Sequence, residues 1–93
     1  MLKKLVLDNV CPIEFYESEG QTLRSGDGWV MAGICPAHND NREGSFYIHT
    51  EHGGFCCFAC DAKGGNIIDF LILRDRIGFK EAMKSIAEQW GLS

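Results

Sequence analysis

Apolar and polar residues alternate in the middle of the chain, in the segment "GSFYIHT". Phe46, Ile48 and Thr50 fall on one side of an extended chain, and Tyr47 and His49 fall on the other. This period of two is typical of a β-strand with one buried face. The turn-forming "EHGG" and a second short apolar segment, "GFCCF", follow directly. The pattern therefore predicts a β-hairpin.

Three further segments carry helical patterns. "PIEFYESEG" begins with Pro12, which is favourable as the first residue of a helix, and Gly20 is the expected stop. Asn66 can cap a second helix, which is apolar on nearly every side over residues 67–73 and should be well buried. The third helix, "FKEAMKSIAEQW", has Gly91 as its C-cap. Its apolar stripe consists of Phe79, Met83, Ile86 and Trp90.

The segment "QTLRSGDGWVMAG" favours another hairpin, with two short strands around a turn at residues 25–28. The predicted order is one helix, two hairpins and two helices. This order describes an α+β fold in which a small antiparallel sheet is flanked by one N-terminal and two C-terminal helices. With 93 residues, no internal repeat and no linker, we expect a single domain over residues 1–93.

The apolar runs and the cysteine count indicate the compartment in which the protein works. The longest apolar run, "IIDFLIL", is too short to span a bilayer, and the N-terminus lacks the apolar core of a signal peptide. We therefore expect a cytoplasmic protein without a membrane partner. In that reducing compartment, five cysteines favour metal binding over disulfides.

The charge limits the nucleic-acid role. A formal net charge of −4 argues against a strong autonomous DNA binder, because phosphate neutralisation supplies most of such affinity. A weak contact with single strands, made beside a more basic partner, remains compatible with this charge.

Four candidate metal ligands occur as two pairs, each with two residues between its members. "CPAH" supplies Cys35 and His38, and "CFAC" supplies Cys57 and Cys60. The intervening chain is long enough for one hairpin, which would bring the two turns face to face. This spacing and ligand set predict a zinc ribbon. Because four protein ligands are available and no general base is evident nearby, we expect a closed, structural zinc site.

The remaining cysteines and histidines are less suitable as metal ligands. Cys56 should point away from Cys57 along a strand and pack on the other face of the sheet. Cys11 has no partner at ligand spacing and is expected to pack as a small apolar residue. His49 and His52 are expected to be surface histidines. A redox sensor that uses Cys56 is a weaker alternative.

The segment "GICPAHND…GSFYIH…GGFCCFACDAKGGNIIDFLI" resembles the Cys-His-Cys-Cys zinc-binding domain at the N-terminus of bacterial and phage DNA primases. The tail "GFKEAMKSIAEQWGL" is similar to the closing helix of that family, so the resemblance spans nearly the whole chain. The chain departs from the family pattern at Ala37, Ala59, Gly44 and Asp61, none of which removes a ligand. Ala32 stands where the family often has a lysine, which predicts the loss of one phosphate contact.

The resemblance implies a module that contacts single-stranded DNA template through its sheet and supports primer initiation by a separate polymerase domain. The polymerising chemistry would lie in that catalytic domain, so the chain itself is not expected to be an enzyme. The residues expected to contact nucleic acid are Arg24, Arg42, Tyr47, His49 and Lys63. Trp29 is equally compatible with packing and with stacking. The alternative function is a structural zinc module for protein–protein interaction in a replication or mobile-element complex.

Overall fold

The computed structural model describes residues 2–36 and 44–92, and all structural statements below refer to these residues. The elements follow one another as α1 (Leu2–Asn9), α2 (Pro12–Ser18), β1 (Trp29–Met31), β2 (Phe46–His49), β3 (Phe55–Cys57), β4 (Lys63–Gly64), α3 (Ile67–Asp75) and α4 (Phe79–Gln89). The four strands form one antiparallel sheet in the order β1-β2-β3-β4. The fold is thus of the α+β class, as the sequence predicts.

The sheet has one buried face and one open face. Its inner face consists of Val30, Phe46, Ile48, Phe55 and Cys57, all of which are buried. On the outer face the register places Tyr47 opposite Met31 on one side and opposite Cys56 on the other, and Cys56 in turn pairs with Lys63. The alternation read from the sequence therefore identifies the correct faces of β2 and β3.

Aromatic side chains from three elements meet beneath the inner face. The ring of Tyr16 lies edge-on to Phe70 with centroids 4.8 Å apart and edge-on to Phe15 at 5.3 Å. The ring of Phe55 also lies edge-on to Phe70, at 5.7 Å. Such edge-to-face pairs contribute beyond the area they bury. The core thus joins α2 and α3 to the sheet.

Two of the predicted helices have the expected starting residues. Helix α2 begins at Pro12, and helix α3 begins after Asn66, whose side-chain oxygen accepts a hydrogen bond from the backbone N–H of Asp69 at 3.0 Å. Helix α4 buries Met83 and Ile86 of its expected stripe, whereas Phe79, at the start of the helix, is 43% exposed. Among the described residues, no helix has the length and apolar character needed to cross a membrane.

The N-terminal side differs from the prediction, because two helices precede the sheet where one is expected. The additional helix, α1, buries Val6 and is followed by the buried Val10, and it packs against α4. It has eight residues and no acidic side chain in its first turn. A helix this short is stabilised mainly by tertiary packing, so the sequence carries little local signal for it.

The first predicted hairpin is also wrong. Residues 21–24 form no strand, and their one backbone hydrogen bond to β1 runs from Arg24 N–H to Met31 O at 2.9 Å. Strand β1 pairs with β2 instead. On the opposite edge, Lys63 and Gly64 add the short strand β4.

The hydroxyl of Tyr16 ties α2 to the turn between β2 and β3, since it donates a buried hydrogen bond of 2.6 Å to Gly53 O. Burial, with a smaller contribution from the charge of Asp69, raises the pKa of Tyr16, so the hydroxyl keeps its proton. Tyr16→Phe should lower the free energy of unfolding by about 1–3 kcal/mol, because Gly53 O is left without a partner. Urea unfolding of the zinc-loaded protein measures this change.

The matched control for that prediction is Tyr47→Phe on the outer face, where the hydroxyl makes no hydrogen bond to any described residue. Its unfolding midpoint should stay within experimental error of the parent. Equal losses in the two variants would contradict a specific role for the bond between Tyr16 and Gly53.

Candidate metal centre and aromatic sheet face

The chain folds back on itself directly after β3. The backbone N–H of Asp61 donates to Cys57 O at 2.9 Å, and the N–H of Cys57 donates to Ala62 O at 2.8 Å. Asp61 has a φ of 60°, in the left-handed region that Asp occupies more readily than most residues. These features close a tight knuckle that holds Cys60 beside Cys57.

Cys35 reaches the same place from the end of β1. Its Sγ lies 3.8 Å from the Sγ of Cys60. The Sγ atoms of Cys35, Cys57 and Cys60 all lie within 4.8 Å of one another. Cys35 and Cys57 are buried, and Cys60 is the most exposed of the three. The fold therefore brings together three of the four residues that the sequence predicts as ligands.

The spacing of the thiols fits zinc. Zinc–thiolate bonds are about 2.3 Å long, so two thiolates on one tetrahedral zinc lie about 3.8 Å apart. The distance between Cys35 Sγ and Cys60 Sγ is 3.8 Å, whereas a disulfide needs about 2.05 Å. Three thiols also leave one corner of a tetrahedron for a fourth donor. Both the donor chemistry and the geometry suit a structural zinc ion.

The environment of Cys57 favours its thiolate. Burial raises the pKa of this thiol, but hydrogen bonds from the backbone N–H groups of Ala59 and Cys60 and from the thiols of Cys35 and Cys60 outweigh that effect, so its pKa is lowered. A zinc ligand must be deprotonated, and backbone N–H groups aimed at sulfur stabilise that form before the metal arrives.

Two predicted site residues lie outside the described residues. These are His38, the fourth predicted ligand, and Arg42, a predicted contact to nucleic acid. Their assignments stay predictions.

The two remaining cysteines lie away from the thiol cluster. Cys56 is half-buried on the outer face of the sheet, in register with Tyr47 and Lys63. Burial, followed by the neighbouring charge of Cys57, raises the pKa of the Cys56 thiol, which makes it less reactive. Cys11 is exposed just before α2, so the expectation that it packs as a small apolar residue is wrong. The cause is its position in the turn that connects α1 to α2.

The outer face carries five aromatic side chains in two clusters, which together we call the aromatic face. The first cluster lies next to the knuckle of Cys57 and Cys60, where the rings of Tyr47 and Phe58 meet edge-on at 5.5 Å. The second lies at the far end of β2, where Trp29 contacts both His49 and His52. Phe58 is 75% exposed and Trp29 is 50% exposed, so these large rings face solvent.

The two histidines of the aromatic face form a stacked pair. Their ring centroids are 3.8 Å apart and their planes differ by 12°. The Nδ1 atom of His49 accepts the backbone N–H of Glu51 at 3.2 Å, and the Nδ1 atom of His52 accepts that of Gly54 at 3.0 Å. Because Nδ1 accepts in both rings, the proton of each neutral imidazole resides on Nε2. The pair thus offers two N–H donors as well as ring surface.

Of the predicted nucleic-acid contacts, the described residues place Tyr47, His49 and Lys63 on the outer face. Arg24 is exposed and lies beside the edge strand β1, through its bond to Met31. Neither Arg24 nor Lys63 forms an ion pair with another described residue, so both positive charges are available.

Sequence reasoning missed two members of the aromatic face. Phe58 falls between two predicted ligands, and a side chain in a tight knuckle has little room to turn inward, which is a usable signal. His52 has no such signal, because its position depends on stacking against His49. Ala32 is fully buried, and the loss of a phosphate contact at this position stays a prediction.

Comparisons with known proteins give a consistent result. The CHC2 zinc finger family model matches residues 13–93. The DNA primase of Streptomyces coelicolor is 38% identical over 90 residues, which are 97% of this chain and 14% of that protein. The DNA primase of Mycobacterium leprae is 31% identical over 86 residues, which are 92% of this chain and 13% of that protein.

A solved structure shows the same relation. The crystal structure of the Aquifex aeolicus primase, comprising its zinc-binding and RNA polymerase domains, superposes with a TM-score of 0.74 at 27% identity. The match covers 97% of this chain and 21% of that one. The chain thus spans only a small fraction of the proteins that it matches.

The family match extends over most of the chain, and three converging thiols offer donors for a zinc ion. This chain belongs to the CHC2 zinc finger family and is a zinc-binding, DNA-primase-like domain.

Proposed function

We propose that this chain binds single-stranded DNA template on its aromatic face and supports primer initiation by a separate polymerase domain. The observation that carries the proposal is the exposure of large rings on one open sheet face, with Phe58 at 75% and Trp29 at 50%. Large rings that cluster on one exposed face, unlike single exposed side chains, mark an interaction surface.

Stacking accounts for the energy of this contact. Bases stack on aromatic side chains with about 1–3 kcal/mol each, and every base offers a ring face, so the contact tolerates sequence variation. Tyr47 and His49 anchor the two clusters on the same side of β2, about 7 Å apart at the usual rise of a strand. That spacing is roughly twice the 3.4 Å rise of stacked bases. An extended single strand can therefore place one base on each cluster.

Charge contributes less than stacking. Arg24 and Lys63 are the predicted cations that the structure describes near this face, and we propose Arg42 as a third. Against a net charge of −4, two or three phosphate contacts give modest affinity. We therefore expect weak binding by the isolated domain and propose that it works beside a catalytic domain. The relative from Aquifex aeolicus, whose structure contains an RNA polymerase domain, supports this arrangement.

We propose that zinc has a structural role, with Cys35, His38, Cys57 and Cys60 as its ligands. Phe58 lies between the ligands Cys57 and Cys60 in the knuckle, so the metal would hold its ring in place on the aromatic face. No catalytic step is assigned to this chain, and polymerisation would belong to the separate domain.

A second candidate function is a protein-interaction module. The same exposed rings of Phe58 and Trp29, together with the acidic charge, could seat a partner protein instead of bases. Oligonucleotide binding discriminates between the two functions.

The ligand assignment predicts different outcomes for two adjacent cysteines. Cys57→Ala should abolish stoichiometric zinc binding and unfold the hairpin region, because zinc contributes on the order of 10–16 kcal/mol in small zinc domains. Cys56→Ala should keep one zinc per chain and a native spectrum. Zinc content by atomic absorption and circular dichroism measure both effects. Equal damage in the two variants would refute the assignment.

The DNA proposal predicts binding that depends on the aromatic face. A short fluorescent oligonucleotide should bind the zinc-loaded domain at low salt, as measured by anisotropy. With two phosphate contacts, affinity should fall about sevenfold between about 50 and about 200 mM salt. Phe58→Ala and Tyr47→Ala should each weaken binding by about 1–3 kcal/mol, or about 5- to 150-fold.

The matched control for these variants is Phe79→Ala, which removes an exposed aromatic ring from α4 rather than from the sheet. Its affinity should equal that of the parent. An absence of binding at low salt with zinc bound would exclude the DNA function and favour the protein-interaction module. A similar loss in Phe79→Ala would instead contradict the location of the site.

A further inference from the structure

We propose that Gln21 is a positioning residue for the zinc centre, because its side chain holds the backbone that leads to Cys35. The amide nitrogen Nε2 of Gln21 donates hydrogen bonds to Ala32 O at 2.6 Å and to Ile34 O at 2.9 Å. The two acceptors flank Gly33, and Cys35 is the next residue after Ile34. The proposal rests on the proposed ligation of zinc by Cys35.

The chemistry of this contact leaves little freedom. A carboxamide has two N–H bonds, so one nitrogen can give one hydrogen to each carbonyl. Both partners are acceptors, which requires the nitrogen rather than the oxygen of the amide to face them. Between the two carbonyls, Gly33 has a φ of 79°, a backbone conformation that glycine adopts readily and other residues rarely do. The side chain of Gln21 therefore bridges the backbone on both sides of Gly33, two residues before Cys35.

Gln21 is itself anchored to the core. Its backbone N–H donates to Tyr16 O at 3.0 Å, at the end of α2. The ring of Tyr16 is fully buried, and its hydroxyl bonds to Gly53. The neighbouring Thr22 packs closely on Gly33, where an added Cβ would lie 3.2 Å from Thr22 N. Gln21 thus connects the backbone before Cys35 to helix α2, so the position of Cys35 does not depend on the metal alone.

This arrangement should affect the metal more than the global stability. The hydrogen bond to Ile34 O is exposed and the one to Ala32 O is part-buried, so water can replace much of what a substitution removes. Without these two hydrogen bonds, however, the backbone before Cys35 would no longer be held in the orientation that directs its thiol to the metal. Groups that orient ligands without touching the metal typically change metal affinity by about 10–100-fold.

The test compares zinc release from four variants into an excess of chromogenic chelator. Gln21→Met keeps the length of the side chain but removes the donor, and zinc should leave about 10–100 times faster than from the parent. Gln21→Glu, which sets a carboxylate against two carbonyls, should release zinc at least as fast. Gln21→Lys restores a donor and should return the rate to within a few-fold of the parent. Gln89→Met, on the exposed side of α4, should leave the rate unchanged.

A second readout separates positioning from general stability. In the cobalt-substituted protein, Gln21→Met should shift the thiolate and d–d absorption bands, while the far-UV circular dichroism of the zinc-loaded variant stays that of the parent. Unchanged zinc release in Gln21→Met would overturn the proposal. So would release from Gln21→Lys as fast as from Gln21→Met, or faster release that occurs only together with a loss of far-UV circular dichroism.

The ligand assignment is tested separately with Cys35→Ser. Loss of stoichiometric zinc binding in this variant supports the basis of the proposal. Full zinc content with parental release kinetics would show that Cys35 is not a ligand, whatever the Gln21 variants do. Normal ligation by Cys35 together with unchanged release from Gln21→Met would reject only the role of Gln21.

Discussion

The convergence of three thiols at the separation of zinc-bound thiolates is the constraint on which the rest of this small fold depends. Cys35 comes from the end of β1, and Cys57 and Cys60 come from the turn after β3, so a metal at this point joins elements that are distant in sequence. A structural zinc ion contributes on the order of 10–16 kcal/mol, comparable to the 5–15 kcal/mol net stability of a whole domain. The aromatic core beneath the sheet fixes α2 and α3, and under the proposed ligation the end of the sheet near Cys57 would rely on the metal.

Strand alternation couples this constraint to the outer surface. Cys57 points inward to the thiol cluster, and Cys56 therefore faces the opposite side, beside Tyr47. The next residue, Phe58, leaves the strand within the knuckle and places its ring against Tyr47 at 5.5 Å. Holding the metal and presenting the ring are thus two consequences of the same short turn. Loss of zinc would therefore disturb the cluster of Tyr47 and Phe58 more than the histidine pair at the other end of β2.

The features that the sequence predicts well are those with local causes. The strand over residues 46–49 follows from alternation, α3 follows from the Asn66 cap, and the opposite orientations of Cys56 and Cys57 follow from strand geometry. The failures have non-local causes. Helix α1 is stabilised by packing on α4, and β1 takes β2 as its partner in the sheet instead of residues 21–24. The stacking of His52 on His49 likewise depends on the conformation of the turn, which the residue types alone do not reveal.

The acidic charge constrains how the proposed role could operate. Two stacked bases supply about 2–6 kcal/mol, and a dissociation constant near 1 mM already corresponds to about 4.1 kcal/mol. Such affinity is inadequate for a free domain at cellular concentrations. It becomes sufficient when the domain is linked to a partner that already holds the template, because short linkers give effective concentrations in the millimolar range. Weak stacking without strong charge then has an advantage: the domain can sample a strand and release it quickly, so that template choice depends on the bases in contact and not on non-specific attraction to phosphates.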